Sequence, residues 1–167
     1  MARLIYDEQK QPFIIIIRYD NYGISDEVDS VTGLYTEPAL NRHITQLLDN
    51  TRPSALLKIG LDQFSHINVM YGAAFADNIL NKVAQSLLHM VRNIGYAYRL
   101  SGAKFVLVFD KISKIELRDI FNFIEDALAN TIAVNGKRIP IKISAGAIFL
   151  EPYMKETNAV RSRLTYA

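Results

Sequence analysis

The stretch that most constrains the fold is residues 98–109, which has the pattern of two short β-strands joined by a tight turn. After the turn, bulky apolar side chains alternate at Phe105, Leu107 and Phe109, as they do on the buried face of a sheet. Gly102 supplies the backbone freedom that a tight turn requires. The sequence therefore predicts a β-hairpin here, and the rest of the chain is organised around it.

Composition is that of an ordinary soluble globular domain. The 167 residues are enough for one domain with a hydrophobic core, and 50% of them are apolar. A net charge of +2, without a block of Lys and Arg, gives no reason to expect nucleic acid. The longest apolar run, residues 13–17, is far too short to span a membrane, and the charged residues near the N-terminus do not fit a signal peptide. With no cysteine for disulfides or thiolate metal sites, we expect a cytoplasmic location and no membrane contact.

Periodicity along the rest of the chain predicts a succession of helices and strands. The predicted order is a helix at 36–49, a strand at 55–61, a short helix at 62–72, a helix at 74–92, the hairpin, a helix at 113–130, strands at 132–134 and 139–149, and a final helix from 158. Ser113 and Glu116 form a capping-box pattern, and Asn135-Gly136 is a strong turn signal between the last two strands. This order indicates an α/β sandwich with helices packed against a mostly antiparallel sheet.

Residues 1–28 are predicted to form a separate hairpin. The β-rich runs 3–6 and 13–18 lie on either side of a polar loop at 7–11. A hairpin alone is marginal in water, so it must pack against something. It resembles the last two strands of a PAS sensor domain; the alternative is an extra hairpin that packs on the following domain.

Three groups of residues resemble the motifs of the GGDEF domain, the fold that makes cyclic di-GMP from two GTP molecules. Residues 29–35 are similar to the entry motif Asp-x-Leu-Thr-Gly-Leu, with Val31 in place of leucine. Residues 62–77 match the Asp-x-Phe, Ile-Asn, Tyr-Gly and Asp positions, and a signature hairpin follows. The five signature letters are Ser101, Gly102, Ala103, Lys104 and Phe105. The resemblance covers residues 29–167 and implies a nucleotidyl cyclase-like α+β sandwich, with a mixed, mostly antiparallel central sheet flanked by helices.

The resemblance also implies that the metal-binding carboxylates are missing. Cyclase chemistry joins a 3′-hydroxyl of one GTP to the α-phosphate of another, and Mg²⁺ held by carboxylates absorbs charge on the phosphate oxygens. The first acid of the family's Asp-x-Asp falls on Gly60, and only the second remains, as Asp62. The hairpin acid falls on Ala103, and its acidic neighbour is Lys104. We expect no catalysis and no metal, and Mg²⁺ is required only if the domain is an unorthodox cyclase that uses Asp62.

The residues that resemble the guanine-recognition elements of the family are kept. Asn68 and Asp77 match the residues that pair with the base edge, and an Asp carboxylate can accept both N–H groups of that edge. Phe64 matches the aromatic residue beside the nucleotide, and Arg99 matches the arginine before the signature. Structural alternatives stay open, because Asn68 can cap a turn, Asp77 can favour the start of its helix and Phe64 can belong to the core. These residues are candidates for weak GTP binding.

Arg92 is the remnant of the family's product-inhibition site, which reads Arg-x-x-Asp. Residues 92–95 read Arg-Asn-Ile-Gly, so the aspartate position is Gly95. A cation near a helix C-terminus is favourable in itself, which gives Arg92 a structural alternative. We therefore do not expect cyclic di-GMP to bind there.

These features predict a degenerate GGDEF domain that regulates attached domains without catalysis. The resemblance implies a PAS-like sensor before it and an EAL-like effector after it, in a cyclic di-GMP pathway. Residues 158–167 resemble only the opening of the family's last helix, so the domain is expected to be truncated there. Two alternatives stay open: a nucleotide-independent interaction module, which could form a homodimer, and an unorthodox diguanylate cyclase.

Overall fold

The computed structural model describes residues 3–6, 12–15, 27–48, 54–134, 136–150 and 157–166, and its elements follow the predicted order. The helices are α1 (Glu37–Leu48), α2 (Phe64–Tyr71), α3 (Ala73–Val91), α4 (Lys114–Thr131) and α5 (Thr157–Tyr166). The strands are β1 (Arg3–Tyr6), β2 (Pro12–Ile15), β3 (Ser54–Leu61), β4 (Gly95–Arg99), β5 (Lys104–Asp110), β6 (Ala133–Val134), β7 (Lys137–Arg138) and β8 (Ile143–Leu150).

A four-stranded sheet in the order β4-β5-β3-β8 forms the centre of the domain, and all of its strand pairs are antiparallel. The predicted central hairpin is confirmed as β4–β5, with the Leu100 N–H donating to the Lys104 carbonyl at 2.9 Å across the turn. Gly102 has φ +67° in this turn, a backbone region that favours glycine. A parallel bridge from Tyr35 to Tyr98 makes the whole arrangement mixed but mostly antiparallel, as predicted.

Helices cover both faces of this sheet, because successive strand side chains point to opposite sides. On one face, Leu57, Ile59, Phe105 and Leu107 pack with the buried side chains of α3 and α4. On the other face, Leu56, Val106 and Val108 pack with those of α1 and α5. The predicted α/β sandwich is therefore confirmed, with the sheet as its middle layer.

Local hydrogen bonds fix several of the predicted turns and helix ends. The Asp29 carboxylate accepts from the Thr32 N–H at 2.8 Å and from its hydroxyl at 2.6 Å, and Thr32 is fully buried. α4 begins at the predicted capping box, in which the Ser113 hydroxyl accepts from the Glu116 N–H at 3.2 Å and the Glu116 carboxylate accepts from the Ser113 N–H at 2.8 Å. The entry motif and the start of α4 are thus set by short-range chemistry.

The second hairpin is smaller than predicted. β6 pairs only with the two-residue strand β7, and the long strand β8 begins at Ile143 rather than at residue 139. β8 begins where its partner β3 ends, with Leu61 opposite Ile143, and Pro140 before it cannot donate to a strand ladder. The strand expected at 139–149 is therefore wrong at its start.

The N-terminal strands β1 and β2 pair antiparallel, with Ile5 opposite Phe13, which confirms the predicted hairpin. The polar loop at 7–11 lies outside the described residues. Two expectations stay predictions: that this hairpin belongs to a PAS-like domain, and that the boundary with the following domain lies after residue 28. Within the described part of the chain, no helix has both the length and the apolar character needed to span a membrane.

Candidate functional site

A cleft of about 570 Å³ lies where β3 ends, between the turn of the central hairpin and the helices α2 and α3. It brings together most of the side chains that the sequence singled out. The predicted residues that line it are Gly60, Asp62, Phe64, Asn68, Asp77, Gly102, Ala103 and Lys104. Among the other candidates, Ser101, Phe105, Arg99 and Arg92 do not line it.

One side of the cleft, which we call the strand wall, consists of Gly60, Ala103 and Lys104. Gly60 of β3 lies opposite Lys104 of β5, and on its other side it lies opposite Ser144 of β8. The Leu61 N–H donates to the Ala103 carbonyl at 2.9 Å, which ties the turn to the end of β3. The ladder of main-chain hydrogen bonds thus sets the positions of this wall, and its side chains include no carboxylate.

Asp62 is the carboxylate that remains beside the strand wall. Its Oδ1 accepts a hydrogen bond from the Ser144 hydroxyl at 2.7 Å, and its backbone N–H donates to the Lys142 carbonyl at 2.9 Å. Both contacts link the turn after β3 to the start of β8. Sequence reasoning missed Ser144, because the contact spans 82 residues of chain and depends on strand pairing.

The Mg²⁺ ion that the resemblance implies does not fit this wall. Mg²⁺ requires oxygen ligands, with one or two carboxylates in typical nucleotide sites. Gly60 and Ala103 offer none, and Lys104 adds an ammonium group. In residues 27–48, 54–134 and the other described segments, no cluster of three or more His, Asp or Glu side chains is placed to hold a metal ion.

The opposite side of the cleft, which we call the helix wall, carries Phe64, Asn68 and Asp77. Phe64 is half-buried against the core on the α3 side, so its structural role is real, and it also lines the cleft. Asn68 and Asp77 are exposed, on α2 and α3 respectively. The turn after α2 is closed by the Gly72 N–H and the Asn68 backbone carbonyl at 2.9 Å, so main chain rather than the Asn68 amide caps it. The polar side chains of this wall can therefore face a ligand.

Two backbone features orient the helix wall. Gln63 has φ +53° and ψ +24°, the left-handed conformation, at the point where the chain leaves β3 and enters α2. Gly72 has φ +82° between α2 and α3, where a side chain would be strained. Together they place the two helices so that Asn68 and Asp77 border the same cleft.

Arg99 braces the signature turn instead of lining the cleft. Its guanidinium donates to the carbonyl oxygens of Gly102 and Lys104, the latter at 3.3 Å, and lies 4.8 Å from the centroid of the Phe105 ring. The residue is only 8% exposed, and burial lowers its pKa. In this structure the arginine has a structural role that the sequence did not reveal.

Arg92 lies in a second cleft, of about 730 Å³, at the open end of the central hairpin. The position of the missing aspartate is Gly95, and a Cβ there would come within 2.4 Å of the Val108 carbonyl oxygen. Glycine is therefore required by the close approach of β4 to β5, and an aspartate could not enter without moving the backbone. Charges of both signs line the cleft, including Lys111, Glu116 and Asp119.

Comparison with known proteins agrees with the fold. The family model "Diguanylate cyclase, GGDEF domain" matches residues 26–163. Diguanylate cyclase DosC of Escherichia coli is 33% identical over 97 residues, which are 57% of this chain and 21% of that protein. The chain thus spans about a fifth of the length of the first curated relatives that it matches.

Solved structures share the architecture at low sequence identity. The FimX GGDEF domain of Pseudomonas aeruginosa has a TM-score of 0.72 at 19% identity, over 84% of this chain and 90% of that one. A sensory box/GGDEF family protein of Caulobacter crescentus has a TM-score of 0.76 at 22% identity, over 84% of this chain and 94% of that one. The chain therefore belongs to the GGDEF domain family of diguanylate cyclases.

Proposed function

We propose that this domain is a non-catalytic GGDEF module of cyclic di-GMP signalling, which binds GTP weakly and uses its occupancy to regulate an attached domain. The observation that carries the proposal is the contrast between the two walls of one cleft. The helix wall keeps the polar side chains that suit guanine, while the strand wall lacks the carboxylates that would hold Mg²⁺.

The regulatory role requires that GTP favour one conformation of the domain over another. α2 is suited to such a change, because it packs against the core only through the partly buried side chains of Phe64 and Ile67. A PAS-like sensor and an EAL-like effector in the same polypeptide are the flanking partners that we propose, with the GGDEF module between them.

The direct test is calorimetric titration of the domain with GTP and, separately, with ATP as the comparison nucleotide. We expect GTP to bind at high micromolar to millimolar concentration and ATP to bind less well, because the Asp77 carboxylate accepts from N–H groups that adenine lacks. Asn68→Ala should weaken GTP binding about tenfold, the effect of one good hydrogen bond. Asn122→Ala on α4, also an exposed helical asparagine, is the matched control and should leave binding unchanged.

The absence of heat and of a thermal shift at millimolar GTP would overturn the nucleotide role. It would favour a second candidate, an interaction or homodimerisation module, for which α2 provides the supporting observation. Val69 is 87% exposed and Met70 is 72% exposed, next to Tyr71, which stacks on Phe75 at 4.8 Å. Sedimentation of the parent and of Val69→Asp would then show whether this surface joins two copies.

A further inference from the structure

The strand wall places an ammonium group beside an open position of the sheet. Lys104 lies directly opposite Gly60 in the antiparallel β3–β5 pair, so the two residues point to the same face. A Cβ on Gly60 would meet only the Ser144 carbonyl oxygen, at 4.0 Å. The exposed Lys104 side chain therefore borders unfilled space at the end of the cleft.

A second lysine, Lys58, lies two residues before Gly60 in β3, on the side of the sheet that α1 and α5 cover. The Lys58 ammonium donates to the Leu164 carbonyl of α5 at 2.6 Å. Burial lowers the pKa of Lys58, and the positive charge of Lys104 lowers it further, so the two ammonium groups are near enough to repel each other. Lys104 therefore contributes positive charge on this side of the sheet as well as at the cleft that it lines.

No acidic side chain neutralises Lys104 within the part of the chain that the structure describes. The ion pair between Arg42 and Glu27 involves neither Lys104 nor any residue that lines the cleft. Asp62 also lines the cleft and accepts the Ser144 hydroxyl, but its carboxylate forms no ion pair with Lys104. A lysine without an acidic partner at the edge of a cleft is suited to an anionic ligand, because its ammonium acts as a point charge toward phosphate.

We propose that Lys104 binds the phosphate groups of a nucleotide in this cleft directly, so that the domain takes metal-free GTP or GDP rather than the magnesium complex. Lys104 lies opposite Gly60 and next to Ala103, the two positions at which the resemblance implies metal-binding carboxylates, and the disagreement between this wall and Mg²⁺ becomes a preference for a bare polyphosphate. The inference that the ligand carries guanine rests on the proposed function. The inference that its phosphates bind here rests on Lys104, Gly60 and their pairing in the sheet.

The chemistry sets the sign of the metal effect. Mg²⁺ coordinates the phosphate oxygens and cancels part of their negative charge, which weakens their attraction to an ammonium group. The Lys104 ammonium also repels a free divalent cation at this end of the cleft. Excess Mg²⁺ should therefore lower the affinity for GTP, whereas in a site that uses the ion it would raise that affinity.

The test separates the two ends of the ligand by titrating GTP, inorganic tripolyphosphate and guanosine, each with EDTA and with excess Mg²⁺. We expect GTP and tripolyphosphate to bind better in EDTA. Lys104→Ala should weaken both about tenfold, the effect of one charge-assisted hydrogen bond, and should leave guanosine binding unchanged. Lys104→Arg should retain most of the affinity, and Lys82→Ala, an exposed lysine of α3 that does not line the cleft, is the matched control.

The proposal is overturned if GTP binds only with Mg²⁺, if Lys104→Ala behaves like Lys82→Ala, or if tripolyphosphate does not bind in EDTA. Guanosine binding with no tripolyphosphate binding would refute the role of Lys104 and leave the proposed function standing. Tripolyphosphate binding that depends on Lys104, with no preference for GTP over ATP, would support the role of Lys104 and refute guanine recognition in the proposed function. Binding of none of these ligands would refute both.

Discussion

The two walls of the cleft differ in the interactions that hold them in place and in the side chains that they present. The strand wall is set by main-chain hydrogen bonds between β3, β5 and β8, which form whatever the side chains at Gly60 and Ala103 are. The helix wall depends on individual side chains carried by α2 and α3. The sheet can therefore form with or without carboxylates at these positions, whereas recognition of a base would depend on the individual side chains of the helix wall.

The same separation is present inside the signature hairpin. Phe105 is fully buried in the core and Gly102 supplies the positive φ of the turn, so the residues that build the fold are intact. Ala103 and Lys104, at the positions where the resemblance implies acidic residues, line the cleft. Under the proposed function the hairpin keeps its structural role and presents a lysine in place of carboxylates.

The largest effect is expected from removing a core side chain of the signature hairpin. Phe105→Ala should lower the free energy of unfolding by about 4 kcal/mol, because it leaves a cavity beneath the turn. Phe64→Ala on the helix wall, where the ring is only half-buried, should cost about 1 kcal/mol. Urea unfolding measures both, and equal losses would contradict the assignment of the scaffold role to the strand side.

Arg99→Ala tests a residue that the sequence resemblance assigned to nucleotide binding and that the structure places beneath the signature turn. Loss of its hydrogen bonds to the turn carbonyls should lower the free energy of unfolding by about 2 kcal/mol and leave GTP affinity nearly unchanged. Arg118→Ala, an exposed arginine of α4, is the control for both measurements. A loss of GTP affinity as large as that of Asn68→Ala, with stability unchanged, would make Arg99 a ligand-binding residue.

Acidic side chains placed in the strand wall should reverse the effect of metal ions on GTP affinity. The effect is on binding rather than on stability. The position at Gly60 has room for a side chain, so the triple variant Gly60→Asp, Ala103→Glu, Lys104→Glu should fold. We expect it to bind Mn²⁺, detected by electron paramagnetic resonance, and to bind GTP better with metal than with EDTA. Gly60→Asp alone, with Lys104 still opposite, should bind no Mn²⁺; a triple variant as indifferent to Mn²⁺ as the parent would refute the comparison.

Much of the fold could be predicted because its signals are local. Alternation predicted the hairpin, helical spacing predicted α1, α3 and α4, and Ser113 with Glu116 predicted where α4 begins. The error at residues 139–142 came from extending an apolar pattern through Pro140, whose missing N–H prevents pairing. The resemblance to the GGDEF motifs implied that Asn68 and Asp77 would share a site, and both line the cleft.

The remainder depends on contacts between residues that are far apart in the chain. The pairing of Gly60 with Lys104 and with Ser144 follows from the order of strands in the sheet, which no local pattern contains. Arg99 matched a motif, yet its position under the turn is decided by packing on Phe105. The 2.4 Å approach that makes Gly95 obligatory is likewise visible only once β4 and β5 are paired.

The central claim is that a domain with this strand wall does not catalyse the synthesis of cyclic di-GMP. A direct assay for that product tests it. The chain is incubated with GTP and either Mg²⁺ or Mn²⁺, and cyclic di-GMP is quantified by chromatography, with an active diguanylate cyclase as the positive control. We predict no cyclic di-GMP from this chain and none from Asp62→Ala. Product that the parent forms and Asp62→Ala does not would contradict the proposal and establish an unorthodox cyclase.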